Sequence, residues 1–275
     1  MPRLRANGIS FHYQRLGAGE RTVVFLHGLV MDNLSSWWYT VANAAARGSD
    51  VLLYDMRGHG MSERPPTGYG VSASVADLFA VMDCLGIDWP VHLVGNSYGG
   101  VVALAAASAR PDRIASLALV EAHAALEGQS RRTVAKMVHG LDLAGVFLDD
   151  SDVNDWLDRL GGRKLNRLAE VARALIDGTS LVEDLRSSPP FSREELAAIT
   201  CPALLVYGEE SDIFDRAILL SEILPASELH VVKGVDHSVL TQATPELRTL
   251  LVDWLERPLP ALPGTDGAIP CGADR

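Results

Sequence analysis

The sequence predicts an α/β protein: a mostly parallel central sheet flanked by helices, with a helical segment inserted before the sheet is complete. Three observations predict it. Residues 22–120 alternate short Val/Leu-rich runs with longer Ala-rich ones. The alternation lapses between about His123 and Thr200, where apolar residues recur at three- and four-residue spacings. It then resumes from Ala203. A chain of 275 residues, 48% hydrophobic and 21% charged, is long and apolar enough to bury one large core.

The elements follow in order. The opening, MPRLRANGISFHYQRLG, reads as a pair of strands and lacks the unbroken apolar run of a secretory leader. Residues 22–26, 51–55, 91–95 and 114–120 are nearly continuously apolar, as buried parallel strands should be. Between them, residues 34–47, 72–85 and 98–110 carry helical spacing, and Pro111 and Gly-rich connections punctuate their ends. RRTVAKMVHGLDL, DVNDWLDRL and KLNRLAEVARALIDG then read as amphipathic helices of an insertion. After SSPP at 187–190 the pattern returns: strand 203–208, helix 214–224, strand 228–233, helix 245–256. The expected organisation is a core of residues 1–121 and 201–256, a helical cap of 122–200, and a Pro/Gly-rich flexible tail of 257–275.

Composition narrows the function. A formal charge of −11 argues against a nucleic-acid partner, because such affinity rests on cationic contacts with phosphates. No apolar run approaches the roughly 20 residues needed to cross a bilayer, so no membrane partner is expected and a cytoplasmic address is the default. Cys84, Cys201 and Cys271 are far apart and odd in number, which fits neither a disulfide framework nor a zinc site. None of the eight histidines shows metal-ligand spacing, so neither metal nor cofactor is expected. The expected partner is a small-molecule substrate; the oligomeric state is not written in these features.

The chemistry is concentrated in VHLVGNSYGGVVALAAA, residues 91–107. A lone G-x-S-x-G would occur by chance in about one sequence in seven of this composition. Its setting matters more: Gly95-Asn96-Ser97-Tyr98-Gly99 ends a buried-strand pattern and opens a helix pattern, which is the strand–turn–helix context of a nucleophile elbow. A serine hydroxyl needs a base within hydrogen-bond reach, and the base needs an orienting carboxylate. His237, in VDHSVL after a late strand, is the candidate base. Asp212, just beyond strand 203–208, is the candidate acid; Glu209, Glu210 and Glu121 are alternatives. All three positions fall at the carboxyl edge of the sheet, where α/β folds place ligands.

FLHG at 25–28, DMRGHG at 55–60, GNSYGG at 95–100, YGEESD at 207–212 and DH at 236–237 together resemble the α/β-hydrolase superfamily, in its cap-bearing branch of esterases and C–C bond hydrolases. The resemblance spans residues 3 to about 256 and implies an α/β-hydrolase fold. By position it implies an oxyanion hole formed by the backbone N–H groups of Leu29 and Tyr98, with His27 bracing that loop and Asp55, Arg57 and His59 organising the next. Relatives that use an aspartate at the elbow, the dehalogenases and epoxide hydrolases, do not match Ser97. The expected activity is a serine hydrolase cleaving an ester, thioester or lactone through an acyl-enzyme. GNSYGG also resembles the elbow of C–C bond hydrolases, an alternative opposed by HGLVMDN, which lacks their glycine-rich loop, and by Ser238 after His237. A non-hydrolytic binding protein, cyclase or isomerase on the same fold is the alternative from another class. Apolar cap residues suggest a medium-sized hydrophobic substrate, with Trp38, His123 and Trp156 as candidate pocket residues.

Overall fold

The computed structural model describes residues 1–122, 124–127 and 163–258. Eight strands form one sheet in the order β1-β2-β4-β3-β5-β6-β7-β8. β1 (Arg3–Ala6) and β2 (Ile9–Leu16) make the expected opening hairpin, and β2 runs antiparallel to β4 (Ser49–Tyr54). β3 (Arg21–Leu26), β5 (Val91–Asn96), β6 (Ile114–Val120), β7 (Ala203–Gly208) and β8 (Ser227–Val232) continue it in parallel. Each parallel strand therefore ends at the same edge, which collects the loops after β3, β5, β6, β7 and β8.

The near-continuous apolar runs have a physical cause: both faces of the sheet are covered. In β3, Val24 and Leu26 face one core while Val23 and Phe25 face the other, as the two-residue strand period requires. The first core is packed by α3 (Val71–Cys84) and α4 (Tyr98–Ala109), through Leu78, Val81, Met82, Val102 and Leu104. The second is packed by residues of the 34–45 segment and of the last helix, including Trp37, Val41, Leu247 and Leu251.

The expected helix 34–47 is instead composite. α1 (Leu34–Trp37) passes through a π-helical turn (Trp38–Ala42) into α2 (Asn43–Ala45). Trp37 is wholly buried, packs on Phe25 and donates its indole N–H to the Leu26 carbonyl at 2.9 Å, while Trp38 is only half-buried. The remaining α-helices among the described residues are α5 (Arg163–Ile176), α6 (Leu181–Ser187), α7 (Arg193–Ala197), α8 (Phe214–Ile223), α9 (Val239–Gln242) and α10 (Thr244–Glu256).

α5 lies over the third of the three segments expected to be amphipathic helices of an insertion; the other two, with His123 and Trp156, lie outside the described residues, as does most of the expected tail. α6 is tied to the core by Asp184, whose Oδ2 accepts from the amides of Gly68 and Tyr69 at 3.0 and 2.7 Å. Cys84 is exposed, Cys201 is buried, and both are free thiols. Among the described residues, no helix is long and apolar enough to cross a membrane.

Candidate active site

The turn between β5 and α4 is built around Ser97, whose φ of 51° and ψ of −113° are unusual for any residue with a Cβ. Such a conformation costs on the order of 1–3 kcal/mol and persists only where its surroundings impose it. Here the Ser97 amide donates to the Val120 carbonyl of β6 at 2.8 Å, and Gly100 N donates back to the Ser97 carbonyl at 3.0 Å. Gly99 makes the close approach possible: a Cβ there would run into the carbonyl groups of Leu26 and His27. Ser97 is half-buried at the carboxyl edge, at the N-terminus of α4.

His237 lies in the loop between β8 and α9, and its Nε2 is 3.3 Å from Ser97 Oγ. The other ring nitrogen, Nδ1, is 2.9 Å from Glu121 Oε2. Glu121 directly follows β6, has a φ of 52° and is completely buried. A carboxylate so placed needs donors, and it has them: the Gly208 amide at 2.6 Å, the Ser211 hydroxyl at 2.6 Å and His237. With Nδ1–H donating to the carboxylate, Nε2 is left free to accept from the serine hydroxyl. The structure thus brings Ser97 and His237 together as the sequence suggests. The carboxylate it sets on Nδ1 is Glu121, one of the alternatives, where the expectation was Asp212; Asp212 is an exposed residue on the loop after β7. Ser211, which holds Glu121, had no sequence signal beyond its place beside that loop.

The loop after β3 is held on both sides of Leu29. His27 Nδ1 donates to the Gly28 carbonyl at 2.7 Å, and its Nε2 accepts from the Met56 amide at 2.9 Å. His59 repeats the arrangement: Nδ1 donates to the Arg57 carbonyl at 2.8 Å and Nε2 accepts from the Val30 amide at 2.9 Å. Burial, reinforced by the neighbouring His27 ring, lowers the His59 pKa to about 3, so His59 stays neutral. Asp32 Oδ2 accepts from the Gly28 amide at 2.7 Å. With Gly28 and Val30 so engaged, the Leu29 N–H between them makes no hydrogen bond among the described residues, nor does the Tyr98 N–H at the start of α4. Val30, a β-branched residue at φ 64°, records the strain of this loop.

Behind it, Asp55 bonds His12 Nδ1 at 2.8 Å and accepts from the Leu34 and Met61 amides at 2.9 and 2.8 Å, while Arg57 forms a buried two-pronged pair with Asp77.

Two cavities flank this edge. One of about 750 Å³ lies between α3, α4 and the 185–191 segment, with Phe79, Tyr98, Val101 and Phe191 in its apolar wall. The other, of about 540 Å³, lies outside the Leu29 loop, lined by Trp38 together with His12, Met31, Asp32 and Met61; the described lining of neither cavity includes Ser97.

Comparison with known proteins decides the family. The family profile described as alpha/beta hydrolase fold matches residues 21–144. A 2-hydroxy-6-oxo-2,4-heptadienoate hydrolase of Pseudomonas putida is 39% identical over 270 residues, covering 91% of this chain and 94% of that protein. The chain belongs to the α/β-hydrolase superfamily. This α/β-hydrolase is also 30% identical to the lipase LipV of Mycobacterium tuberculosis, over 82% of this chain and 97% of the lipase. Among solved structures, the N-acyl homoserine lactone degrading enzyme Est816 superposes with a TM-score of 0.69 at 26% identity, covering 92% of this hydrolase and 100% of that chain.

Proposed function

We propose that this hydrolase cleaves an ester, thioester or lactone of a medium-sized hydrophobic substrate through a Ser97 acyl-enzyme. The observation that carries the reading is the continuous line from Ser97 Oγ to His237 Nε2 at 3.3 Å and from Nδ1 to Glu121 at 2.9 Å. His237, oriented by Glu121, accepts the Ser97 proton as Oγ attacks the substrate carbonyl. The Leu29 and Tyr98 amides receive the developing oxyanion, each worth on the order of 3–4 kcal/mol in the transition state. The twelve-residue helix α4 directs the positive end of its dipole to the same place. The leaving group departs with the proton from His237, and a water activated by the same ring then releases the acid.

A second reading, hydrolysis of a C–C bond in a vinylogous diketone, is favoured by the 39% identical relative named as a 2-hydroxy-6-oxo-2,4-heptadienoate hydrolase. Turnover of a p-nitrophenyl ester series, thioesters, lactones and a vinylogous diketone, in wild type and Ser97→Ala, separates the two. Stoichiometric labelling of Ser97 by a fluorophosphonate, with ester turnover abolished in a folded Ser97→Ala protein, is the expected result. Wild-type ester turnover in that variant would overturn the nucleophile assignment, and turnover confined to the diketone would favour the second reading.

A further inference from the structure

Asp32 is the one carboxylate built into the loop after β3, and neither the nucleophile nor its base uses it. Its Oδ2 accepts from the Gly28 amide at 2.7 Å and stands 3.5 Å from Asn96 Nδ2; Oδ1 accepts from the Asn33 amide at 3.2 Å and from the Ser36 hydroxyl. It is close to the chemistry. A methyl group placed on Gly28 would meet Asp32 Oδ2 at 3.0 Å, Asn96 Nδ2 at 3.4 Å and Ser97 Cβ at 3.6 Å, so the carboxylate and the nucleophilic residue border the same small space. Asp32 also lines the 540 Å³ cavity on the outer side of the loop, where it is half-buried.

We propose that Asp32 is a positioning residue that aims the Leu29 amide by holding Gly28, and that its charge selects neutral over anionic acyl groups at Ser97. The inference rests on the acyl-transfer reading above. The geometric half follows from the peptide chain itself. Gly28 has no side chain to limit its rotation, and its amide is fixed by Asp32 while its carbonyl is fixed by His27. The two peptide planes that meet at Gly28 are therefore each held by one side chain, and the second of them carries the Leu29 N–H. Removing the Asp32 bond frees one of them. An oxyanion donor acts through its aim at the transition state, so the loss should appear in kcat more than in KM. The electrostatic half follows from distance. A fixed negative charge this near the nucleophile, partly shielded from water, repels a second carboxylate carried on the acyl chain, and does so more strongly at low salt.

The test uses p-nitrophenyl butyrate and the mono-p-nitrophenyl ester of succinate, substrates of similar length that differ in a terminal charge, assayed at low ionic strength with wild type, Asp32→Asn and Asp32→Ala. Asparagine keeps an acceptor for Gly28 and removes the charge; alanine removes both. The expected results are a rise of about tenfold in the succinate-to-butyrate ratio of kcat/KM in both variants, shrinking at high salt, and a butyrate kcat that falls at least tenfold further in Asp32→Ala than in Asp32→Asn with KM little changed. A ratio equal to wild type overturns the charge selection. Equal butyrate kcat in the two variants overturns the positioning role. Should Asp32→Ala fail to fold, Asp32→Asn still decides the charge, and Asp32→Glu, which displaces the acceptor by a methylene, stands in for the geometry. Failure of the underlying acyl-transfer reading would show separately, as wild-type protein that neither turns over butyrate nor takes the fluorophosphonate label.

Discussion

Glu121 Oε2 and His237 Nδ1 meet at 2.9 Å across 116 residues of chain, and the same carboxylate is anchored by the Gly208 amide and the Ser211 hydroxyl. Those anchors come from the β7 edge, so the end of β6, the end of β7 and the loop after β8 are joined through one buried side chain. If this carboxylate orients the base, Glu121→Gln should lower kcat on a p-nitrophenyl ester by about 10³–10⁴, because an amide no longer favours the Nδ1–H tautomer. Asp212→Asn should stay within about tenfold of wild type. The reverse ranking in folded proteins would return the acid role to Asp212.

Gly99 supports both the fold and the site. Gly99→Ala would press a methyl into the Leu26 and His27 carbonyls, at the root of the Leu29 loop. Overpacking of this kind costs about 1–3 kcal/mol, and the displaced loop should also lower kcat. Urea denaturation paired with ester kinetics checks this; a variant with wild-type midpoint and turnover would show that the strand and helix need no glycine at this approach.

The Arg57–Asp77 pair is buried, with bonds of 2.5 and 2.6 Å, and Asp77 also accepts from Asn7 Nδ2 at 2.7 Å. Asp77→Asn leaves a buried guanidinium with its charge uncompensated, which should cost about 3–5 kcal/mol. The denaturation midpoint should fall accordingly, while simultaneous replacement by Arg57→Met and Asp77→Leu should cost less than Asp77→Asn alone. A double variant that is the less stable of the two would contradict this account.

His59 makes stability depend on pH in a defined direction. Its folded pKa of about 3 lies below the unfolded value of about 6.5, so between those values the unfolded chain binds a proton that the native protein does not. Native stability should therefore fall as pH drops from about 6.5 towards 3 and gain nothing from this group above 6.5. His92, lowered to about 4 chiefly by burial and then by the charge of Arg21, acts in the same sense. His59→Gln should flatten part of the slope in chemical denaturation between pH 7 and pH 4. An unchanged slope would mean that His59 does not bear it.

Much of the fold was legible because both faces of the sheet are buried. A strand such as β6, with every residue from Ile114 to Val120 buried, has to be written as an unbroken apolar run, and its boundaries were read to the residue. The 34–45 segment was less legible. Its helical spacing was plain, but the π turn at Trp38–Ala42 goes with the placement of Trp37 against Phe25 and the Leu26 carbonyl, which no local pattern encodes. In the site, Ser97 and His237 were legible through motif and strand context, whereas Asp32 and Ser211 were not, because a polar residue in a loop shows what it bonds only after the loop is closed.

By itself, the sequence determined the alternation that makes the parallel sheet, the elbow that lifts Ser97 to its edge, and a late loop carrying His237. These are local matters of period, glycine placement and strand-to-helix context. Only the tertiary structure decided that Glu121 meets His237 Nδ1 and that the Leu29 and Tyr98 amides make no hydrogen bond among the described residues. Glu121, Glu209, Glu210 and Asp212 all lie just beyond strands that share an edge, so nearness in sequence cannot rank them. What sets Glu121 apart is the depth of its side chain between β6 and β7, where burial requires its oxygens to find donors and His237 is among those it meets.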